Sequence, residues 1–274
     1  MSGDLDPDGD AGSVANATAD GLDSAAPADD TATDAPANDT ATDATDTDDL
    51  LALSRQYLRA VRADEPVAAV RDSLATLPED ALASLSGPAA TAFWLNVYNA
   101  ATQTLLTDRP ALYDSRLRFF RADAVTVAGT ALSLDDVEHG LLRGRSKYGL
   151  GYLPRLLRWG FERRHSLSNP DPRLHFALNC GAASCPPVAT YSADVDRELD
   201  LAAEGYLAAT VEHDPEAGVV RVPAVCRWFR GDFGGPSGVR AMLREYDLLP
   251  AEATPNVAYL DWDWSRTRPS FREL

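Results

Sequence analysis

Two histidines and two cysteines lie in stretches of this sequence whose residue types can support catalysis. His139 follows Glu138 directly, and His175 precedes Cys180 and Cys185. A thiol becomes a nucleophile at neutral pH when a base or a positive local field favours the thiolate. Cys185 lies in a loop that ends in two prolines, where a side chain can be presented to a cleft. We therefore predict a thiol-dependent hydrolase or acyl transferase in which Cys185 is the nucleophile and His139 is its base.

Further side chains are candidates for orienting this pair. Glu138, Asn96 or Asn99 would hold the imidazole, and the amides would also suit donation to an oxyanion. A helix is expected to end near His139, where its dipole favours the protonated imidazole. His175 completes the predicted set of catalytic residues. We expect no cofactor, and a small molecule or a peptide as the ligand.

The same region also fits a metal site. His139, His175, Cys180 and Cys185 would provide the four N and S donors of a tetrahedral zinc site. However, a short strand is expected over Leu174–Cys180, and its alternation would turn His175 and Cys180 to opposite faces. Both could then bind one ion only across a bulge, which makes zinc the second alternative.

A noncatalytic binding or scaffold domain is the first alternative to the enzyme. Asn96, Asn99, Glu138 and His139 would then form a buried hydrogen-bond network that satisfies the backbone of the loop at Cys185. A cleft that contains these groups would favour the enzyme, and a closed interior would favour the scaffold.

Two further features of the same segments have alternative interpretations. A disulfide between Cys180 and Cys185 is geometrically conceivable, but the sequence has no export signal, so we expect a cytoplasmic protein with reduced thiols. Basic residues that follow His139 could bind a carboxylate or a phosphate. We expect them instead to form a solvated face that pairs with acidic side chains; they are Arg143, Arg145, Lys147, Arg155 and Arg158.

The elements that would position these residues are helices mixed with hairpins. Hydrophobic periodicity predicts helices over 50–61, 66–77, 89–107, 152–163 and 194–210 and hairpins over 125–132 and 212–222. Asn96 and Asn99 form a polar stripe on the otherwise apolar third helix, which is typical of a buried helix whose amides have internal partners. The helices and hairpins do not alternate regularly, so we predict a single α+β domain over residues 50–274.

The charge of the chain is concentrated at its start. The 274 residues carry a formal net charge of −17, and residues 1–50 contain 14 Asp and no Lys, Arg or Glu. This stretch has too few bulky side chains to offset the entropy of ordering, so we predict a disordered acidic tail over residues 1–49. The acidic balance argues against nucleic-acid and membrane partners. Lys147 is the only Lys, and this composition is typical of salt-adapted proteins.

Four stretches together resemble a known family. They are Phe93–Ala100, Leu132–Gly140, Asp171–Pro187 and Trp228–Gly234. Their order and spacing are similar to those of domain of unknown function 547, over about residues 88–265. The resemblance implies the fold of that family but no activity, cofactor or partner, because the family has no settled biochemical role. Cys226 stands where the family usually has an apolar residue, so we expect it in the core.

Overall fold

The first helices of the domain pack around one buried helix. The structure, a computed structural model, describes residues 42–154, 159–168 and 171–274, with side chains from residue 47 onward. Helix α1 (Thr42–Arg62) begins before the boundary expected at residue 50, and the rest of the predicted acidic tail lies outside the described residues. Helix α2 (Ala68–Ala75) follows, and α1 packs against helix α3 (Gly87–Asp108).

Helix α3 is buried around nearly its whole circumference. Every residue from Ala92 to Leu106 is buried, which confirms the buried helix predicted from its composition. Pro88 lies in the first turn, where a missing N–H costs nothing. Gly87 enters the helix with a φ of +48°, a conformation that favours glycine. The polar side chains of α3 must therefore find their partners inside the protein.

A hairpin and a wide helical turn follow α3. After the 3₁₀ helix Pro110–Asp114 and helix α4 (Arg116–Arg121), strands β1 (Asp123–Val127) and β2 (Thr130–Ser133) form the predicted hairpin. A π-helix then spans Asp136–Leu142 and contains Glu138 and His139. The Ser133 hydroxyl accepts a hydrogen bond from the Asp136 N–H at 3.2 Å and donates to the Asp136 carboxylate at 2.6 Å. This reciprocal capping stabilises the start of the helix that contains Glu138 and His139.

The strand predicted over Leu174–Cys180 is wrong. The structure has a 3₁₀ helix at Pro172–Phe176, and the following residues are irregular. Asp171 accepts a hydrogen bond from the Arg173 N–H at 2.8 Å, and Pro172 occupies the first turn, so both residues favour a helical start. The alternation that would have separated His175 from Cys180 therefore does not exist.

The remaining elements complete the domain. They are the 3₁₀ helices Glu79–Ser84 and Gly149–Gly151, helices α5 (Gly160–His165), α6 (Val195–Thr210), α7 (Val225–Trp228) and α8 (Gly235–Glu245), and strands β3 (Val188–Ala189), β4 (Glu212–Asp214), β5 (Val219–Val222), β6 (Asn256–Tyr259) and β7 (Phe271–Arg272). The predicted helix over 152–163 falls partly on residues 155–158, which lie outside the described residues; α5 begins at Gly160.

The small sheets and two apolar clusters make the described chain a single α+β domain, as predicted. Strand β4 pairs antiparallel with β5, which pairs parallel with β6, and β3 pairs parallel with β7. One apolar cluster surrounds α3, and the other lies around α6 and α8. Cys226 is fully buried in the second cluster, as expected. Of the helices described, none combines the length and apolarity that a bilayer crossing needs.

Candidate active site

Four of the six predicted catalytic residues, together with Cys180, converge on one open cleft. The cleft has a volume of about 490 Å³, and its lining includes Glu138, His139, His175, Cys180 and Cys185. They come from the π-helix, the 3₁₀ helix at 172–176 and the loop that follows it. Segments far apart in sequence therefore bring thiols, imidazoles and a carboxyl group to the same solvent-accessible site.

The two cysteines form a close pair. Their sulfur atoms are 2.9 Å apart, and the Cys180 N–H donates to the Cys185 sulfur at 3.1 Å. Gly181 turns the chain between them with a φ of +85°, and a Cβ there would lie 2.5 Å from the Leu106 side chain. Glycine at this position therefore allows the turn that brings the Cys180 N–H to the Cys185 sulfur.

The environment of Cys185 favours its thiolate. Burial opposes ionisation, but hydrogen bonds from the Cys180 thiol and from the N–H groups of Cys180, Ala182 and Gly181 outweigh it and lower the pKa of Cys185. The pKa of Cys180 is raised, first because its thiol donates to Cys185 and then because of burial. When one of the two thiols ionises, the proton therefore stays on Cys180 and the negative charge falls on Cys185.

Glu138 is a carboxyl group whose charge is poorly solvated. Burial raises its pKa to about 7, and the positive charge of Arg143 opposes the rise only in part. The Tyr98 hydroxyl donates a hydrogen bond to Glu138 Oε2 at 3.1 Å. The charges of Glu138, Cys180 and Cys185 all add to the effect of burial in raising the pKa of Tyr98, so these groups share one electrostatic environment. At neutral pH, Glu138 can both give and take a proton.

His139 is held as a hydrogen-bond donor toward the cleft. Arg143 Nη1 lies 2.7 Å from His139 Nδ1, and a guanidinium can only donate, so the imidazole proton is on Nε2. Nε2 lies 3.6 Å from Asp135 Oδ1. This tautomer does not suit the role of base that the sequence suggested, because the nitrogen turned from Arg143 already carries a proton.

His175 belongs to a buried charged network. Its Nε2 lies 2.9 Å from Asp232 Oδ2, which also accepts from Arg143 Nε at 2.7 Å. Burial lowers the pKa of His175, so its ring is neutral and donates to Asp232. Burial opposes the charge of Asp232, yet the hydrogen bonds from His175 and Arg143 lower its pKa. The Phe229 ring stacks on His175 at 4.1 Å and lies 4.3 Å from the Arg143 guanidinium.

The expectation that Arg143 lies on a solvated face is wrong, because its side chain is fully buried. Sequence reasoning also missed Asp232. Two signals could have found this pair: Arg143 lies one helical turn after His139, and Asp232 lies in one of the four stretches that carry the resemblance. Among the other basic residues, Lys147 forms an ion pair with Asp135, and Arg155 and Arg158 lie outside the described residues.

Asn96 and Asn99 are structural side chains that do not line the cleft. Asn99 donates to the Ala177 carbonyl at 3.0 Å and accepts from the Asn179 N–H at 2.9 Å. Asn96 makes the same pair of bonds, both at 2.9 Å, with the backbone of Tyr191. Each amide thus pairs with the backbone N–H and C=O groups of a buried loop, as a neighbouring strand would. The predicted roles of orienting a base or stabilising an oxyanion find no support in this geometry.

The zinc alternative finds no support either. Within the part of the chain that the structure describes, no three His, Cys, Asp or Glu side chains are grouped so that they could hold a metal ion. The geometry gives a reason for the histidine donors. His175 Nε2 is committed to Asp232, and His139 Nδ1 is committed to Arg143. A cation at the site would also lie close to the fixed charge of Arg143.

One wall of the cleft is aromatic. Trp228 stacks on Trp264 with ring centroids 5.6 Å apart, and Trp262 lies within 6 Å of both. Arg116 lies over the Trp264 ring at 4.6 Å. The sequence shows these residues only as an aromatic-rich C-terminal region, without a link to the cysteines. Such a wall suits planar or apolar groups.

A larger groove of about 910 Å³ lies elsewhere on the domain and is not a comparable site. Among its polar residues, Glu79 is paired with Arg164 at 2.6 Å and with His165 at 3.0 Å. None of the residues lining it carries a thiol. These three polar groups therefore satisfy one another, and the cleft that contains the cysteines is the better candidate.

Comparison with known proteins bears on the family alone. No curated protein and no solved structure matches the chain. The matched segment includes α3, the π-helix, both cleft cysteines and most of α6, but it ends before Trp228–Gly234, the fourth stretch that carries the resemblance. The resemblance inferred from the sequence is confirmed by this match: residues 82–207 of the chain match the family described as protein of unknown function, DUF547.

Proposed function

We propose that the cleft is the active site of a hydrolase or acyl transferase that uses Cys185 as its nucleophile. The observation that carries the proposal is the position of the Cys185 sulfur. It lines an open cleft, and it accepts hydrogen bonds from its neighbours that favour the thiolate. A stabilised thiolate with access to solvent is what nucleophilic catalysis by cysteine requires.

The proposed reaction begins with attack of the Cys185 thiolate on an acyl carbon. The S–C bond forms, the bond to the leaving group breaks, and a thioester remains on the enzyme. Glu138 supplies the proton that the leaving group takes up, because at neutral pH a large fraction of it is protonated. Its carboxylate then accepts a proton from water, or from another acceptor nucleophile, as that molecule attacks the thioester; the new bond to the acyl carbon forms, the S–C bond breaks, and the Cys185 thiolate is released.

In this scheme Glu138 takes the role of base that we expected of His139. The Nε2–H of His139 is instead assigned as a donor to the carbonyl oxygen, whose negative charge grows during attack. Arg143 keeps the proton on that nitrogen. His175 is a positioning residue: through Asp232 it holds the Arg143 side chain that orients His139.

The walls of the cleft point to the class of acyl group. Trp228, Trp262 and Trp264 offer large apolar faces close to Cys185 in the same cleft. We infer that the acyl part of the substrate is aromatic or otherwise apolar, as in a small ester, a thioester or the end of a peptide.

The test uses 4-nitrophenyl phenylacetate, an ester with an aromatic acyl group. We expect the full chain to release nitrophenolate and the Cys185→Ser variant to be at least about 100-fold slower, the loss expected for a missing activated nucleophile. Cys226→Ser is the matched control, because Cys226 is buried away from the cleft. Glu138→Gln should lower the rate. It should also remove the change in kcat near pH 7 that the ionisation of Glu138 causes.

Equal rates for the wild type and Cys185→Ser would overturn the proposal. An equally large loss of rate in Cys226→Ser would also overturn it, because that variant leaves the cleft residues unchanged.

A noncatalytic binding domain is the second candidate. The observation that favours it is the pair of amides on α3, which serve the loops and take no part in the cleft. Such a domain would bind aromatic acids in the cleft with equal affinity in the wild type and in Cys185→Ser, and neither protein would form an acyl-enzyme visible in its intact mass.

A further inference from the structure

We propose that the Cys180–Cys185 pair is a redox modification site, at which a peroxide converts the two thiols into a reversible disulfide. The proposal uses the same Cys185 thiolate as the proposed function but needs no hydrolytic activity. It does not treat the disulfide as a permanent structural link. Transient disulfides of this kind occur in reducing compartments, where structural ones are rare.

The two sulfur atoms are already close to bonding distance. They lie 2.9 Å apart, and a disulfide bond is 2.03–2.05 Å long, so the sulfurs need to approach by only about 0.9 Å. The turn at Gly181 brings them together across a loop of few residues. Small side-chain rotations can therefore close the bond without moving a helix or a strand.

Access and reactivity distinguish the two thiols. Both sulfurs line the open cleft, and both residues are half-buried, so a molecule as small as hydrogen peroxide can reach them. Peroxides react with thiolates, and the hydrogen bonds around the Cys185 sulfur favour that form. Cys180 retains its proton and serves as the resolving thiol. Oxidation sensors commonly have such a reactive cysteine beside a resolving one.

The reaction balances in two steps. The Cys185 thiolate attacks hydrogen peroxide, an S–O bond forms, the O–O bond breaks, and hydroxide leaves, which a proton converts to water. The Cys180 sulfur then attacks the sulfur of the Cys185 sulfenic acid. The S–S bond forms, the S–O bond breaks, and hydroxide leaves and takes the Cys180 proton as a second water. Two thiols lose two electrons, and one peroxide gains them.

One consequence follows for the cleft. The Cys185 sulfur is no longer a nucleophile once it is bonded to Cys180. Oxidation would therefore inactivate the proposed enzyme, and a dithiol reductant would restore it. The resolving thiol would also protect Cys185 from irreversible oxidation to sulfinic acid.

Peptide mapping of the full chain tests the proposal. Trypsin releases Leu174–Arg197 with both cleft cysteines and Val222–Arg227 with Cys226. After stoichiometric hydrogen peroxide, denaturation and iodoacetamide, we expect Leu174–Arg197 to lose two hydrogens and both of its alkylation sites. Dithiothreitol should restore both sites. The peptide with Cys226 should stay fully alkylated throughout, because that residue is buried in the folded protein.

Two variants give the matched comparison. In Cys180→Ser the sulfenic acid has no resolving thiol, so Cys185 should accumulate the dimedone adduct that the wild type does not. Cys226→Ser should behave as the wild type. The proposal is overturned if both cleft cysteines of the oxidised wild type are still alkylated, or if Cys226 is lost at the same rate. Neither readout depends on ester hydrolysis, so the two proposals can fail independently.

Discussion

Burial raises the pKa of both Cys185 and Glu138, yet the net shifts of the two groups are opposite. Cys185 has four hydrogen-bond donors around its sulfur, and they lower its pKa despite burial. Glu138 has the Tyr98 hydroxyl as a neutral donor, and burial raises its pKa to about 7. The number of hydrogen-bond donors, and not burial alone, therefore decides the direction in which the pKa of each group shifts.

The raised pKa of Glu138 predicts a specific pH dependence of stability. Its value of about 7 lies above the ordinary 4.5, so the folded chain binds this proton more tightly than the unfolded chain. The stability that Glu138 contributes is present below pH 4.5 and is lost as the pH rises through 7, by on the order of 3 kcal/mol. Between pH 4.5 and pH 8, the wild type should therefore lose on the order of 3 kcal/mol more stability than Glu138→Gln, as measured by urea denaturation.

Glu204→Gln is the matched control, because Glu204 is exposed on α6. Its stability should follow the wild-type pH profile. An identical fall in Glu138→Gln and in the wild type would show that Glu138 is ionised in the folded protein at acidic pH.

Asp232 balances the fully buried charge of Arg143. Their side chains are 1% and 0% exposed, and Nε donates to Oδ2 at 2.7 Å. Asp232→Ala leaves the guanidinium buried without its counter-charge, which typically costs about 3–5 kcal/mol. Urea denaturation at pH 7 measures the loss. The exposed Asp261→Ala should change the stability by less than about 0.5 kcal/mol, and an equally small loss in Asp232→Ala would contradict the network described above.

At the level of elements, α3 acts as a scaffold for the loop that carries the cysteines. Its Asn99 holds the backbone at Ala177 and Asn179, and Asn179 in turn donates to the Pro186 carbonyl at 2.7 Å. The loop reaches the cleft with its own backbone groups satisfied by side chains of a buried helix. A stretch that periodicity alone assigns to a strand can therefore remain irregular.

Asn99→Ala should weaken this loop directly. The variant leaves the Ala177 carbonyl and the Asn179 N–H buried without their partner, which costs about 1–3 kcal/mol for each group. We expect a loss on the order of 3 kcal/mol in urea denaturation and faster hydrogen exchange at the Asn179 amide.

Thr107→Ala on the same helix is the control. Its hydroxyl donates to the Gln103 carbonyl one turn earlier on the same helix, so the stability should change by less than about 0.5 kcal/mol. Unchanged exchange at Asn179 in Asn99→Ala would mean that the amide does not hold the loop.

At the level of the whole molecule, the cleft collects residues from both apolar clusters. Tyr98 and Leu178 come from the cluster around α3, and Val225 comes from the cluster around α6 and α8. The chain next to Asp232 contacts the loop at 149–152, where the Gly231 N–H donates to the Leu150 carbonyl at 2.7 Å. The geometry of the cleft depends on this contact between distant segments.

Gly231→Ala tests that contact. A Cβ at this position would lie 2.6 Å from the backbone of Gly151 and of Tyr152, so the two segments must separate. We expect a loss of about 1–3 kcal/mol, as for other overpacked sites, measured by urea denaturation.

Gly160→Ala is the comparison, because a Cβ there meets only the flexible end of the Arg164 side chain, at 3.0 Å. It should be neutral or slightly stabilising in the first turn of α5. Equal stability of Gly231→Ala and the wild type would show that the two segments can separate at no cost.

The sequence by itself determined the class of fold, the buried helix α3, both hairpins and the helix over 195–210, because their signals are local periodicities and turn residues. It also singled out the cysteines, the histidines and Glu138. Only the tertiary structure decided the rest. Asn99 bonds to the backbone of the loop that was expected to be a strand, and Arg143 determines which nitrogen of His139 carries the proton. Asp232 contacts His175 although the two residues are far apart in sequence. These outcomes depend on partners far away along the chain, and no local pattern of residues records such a partner.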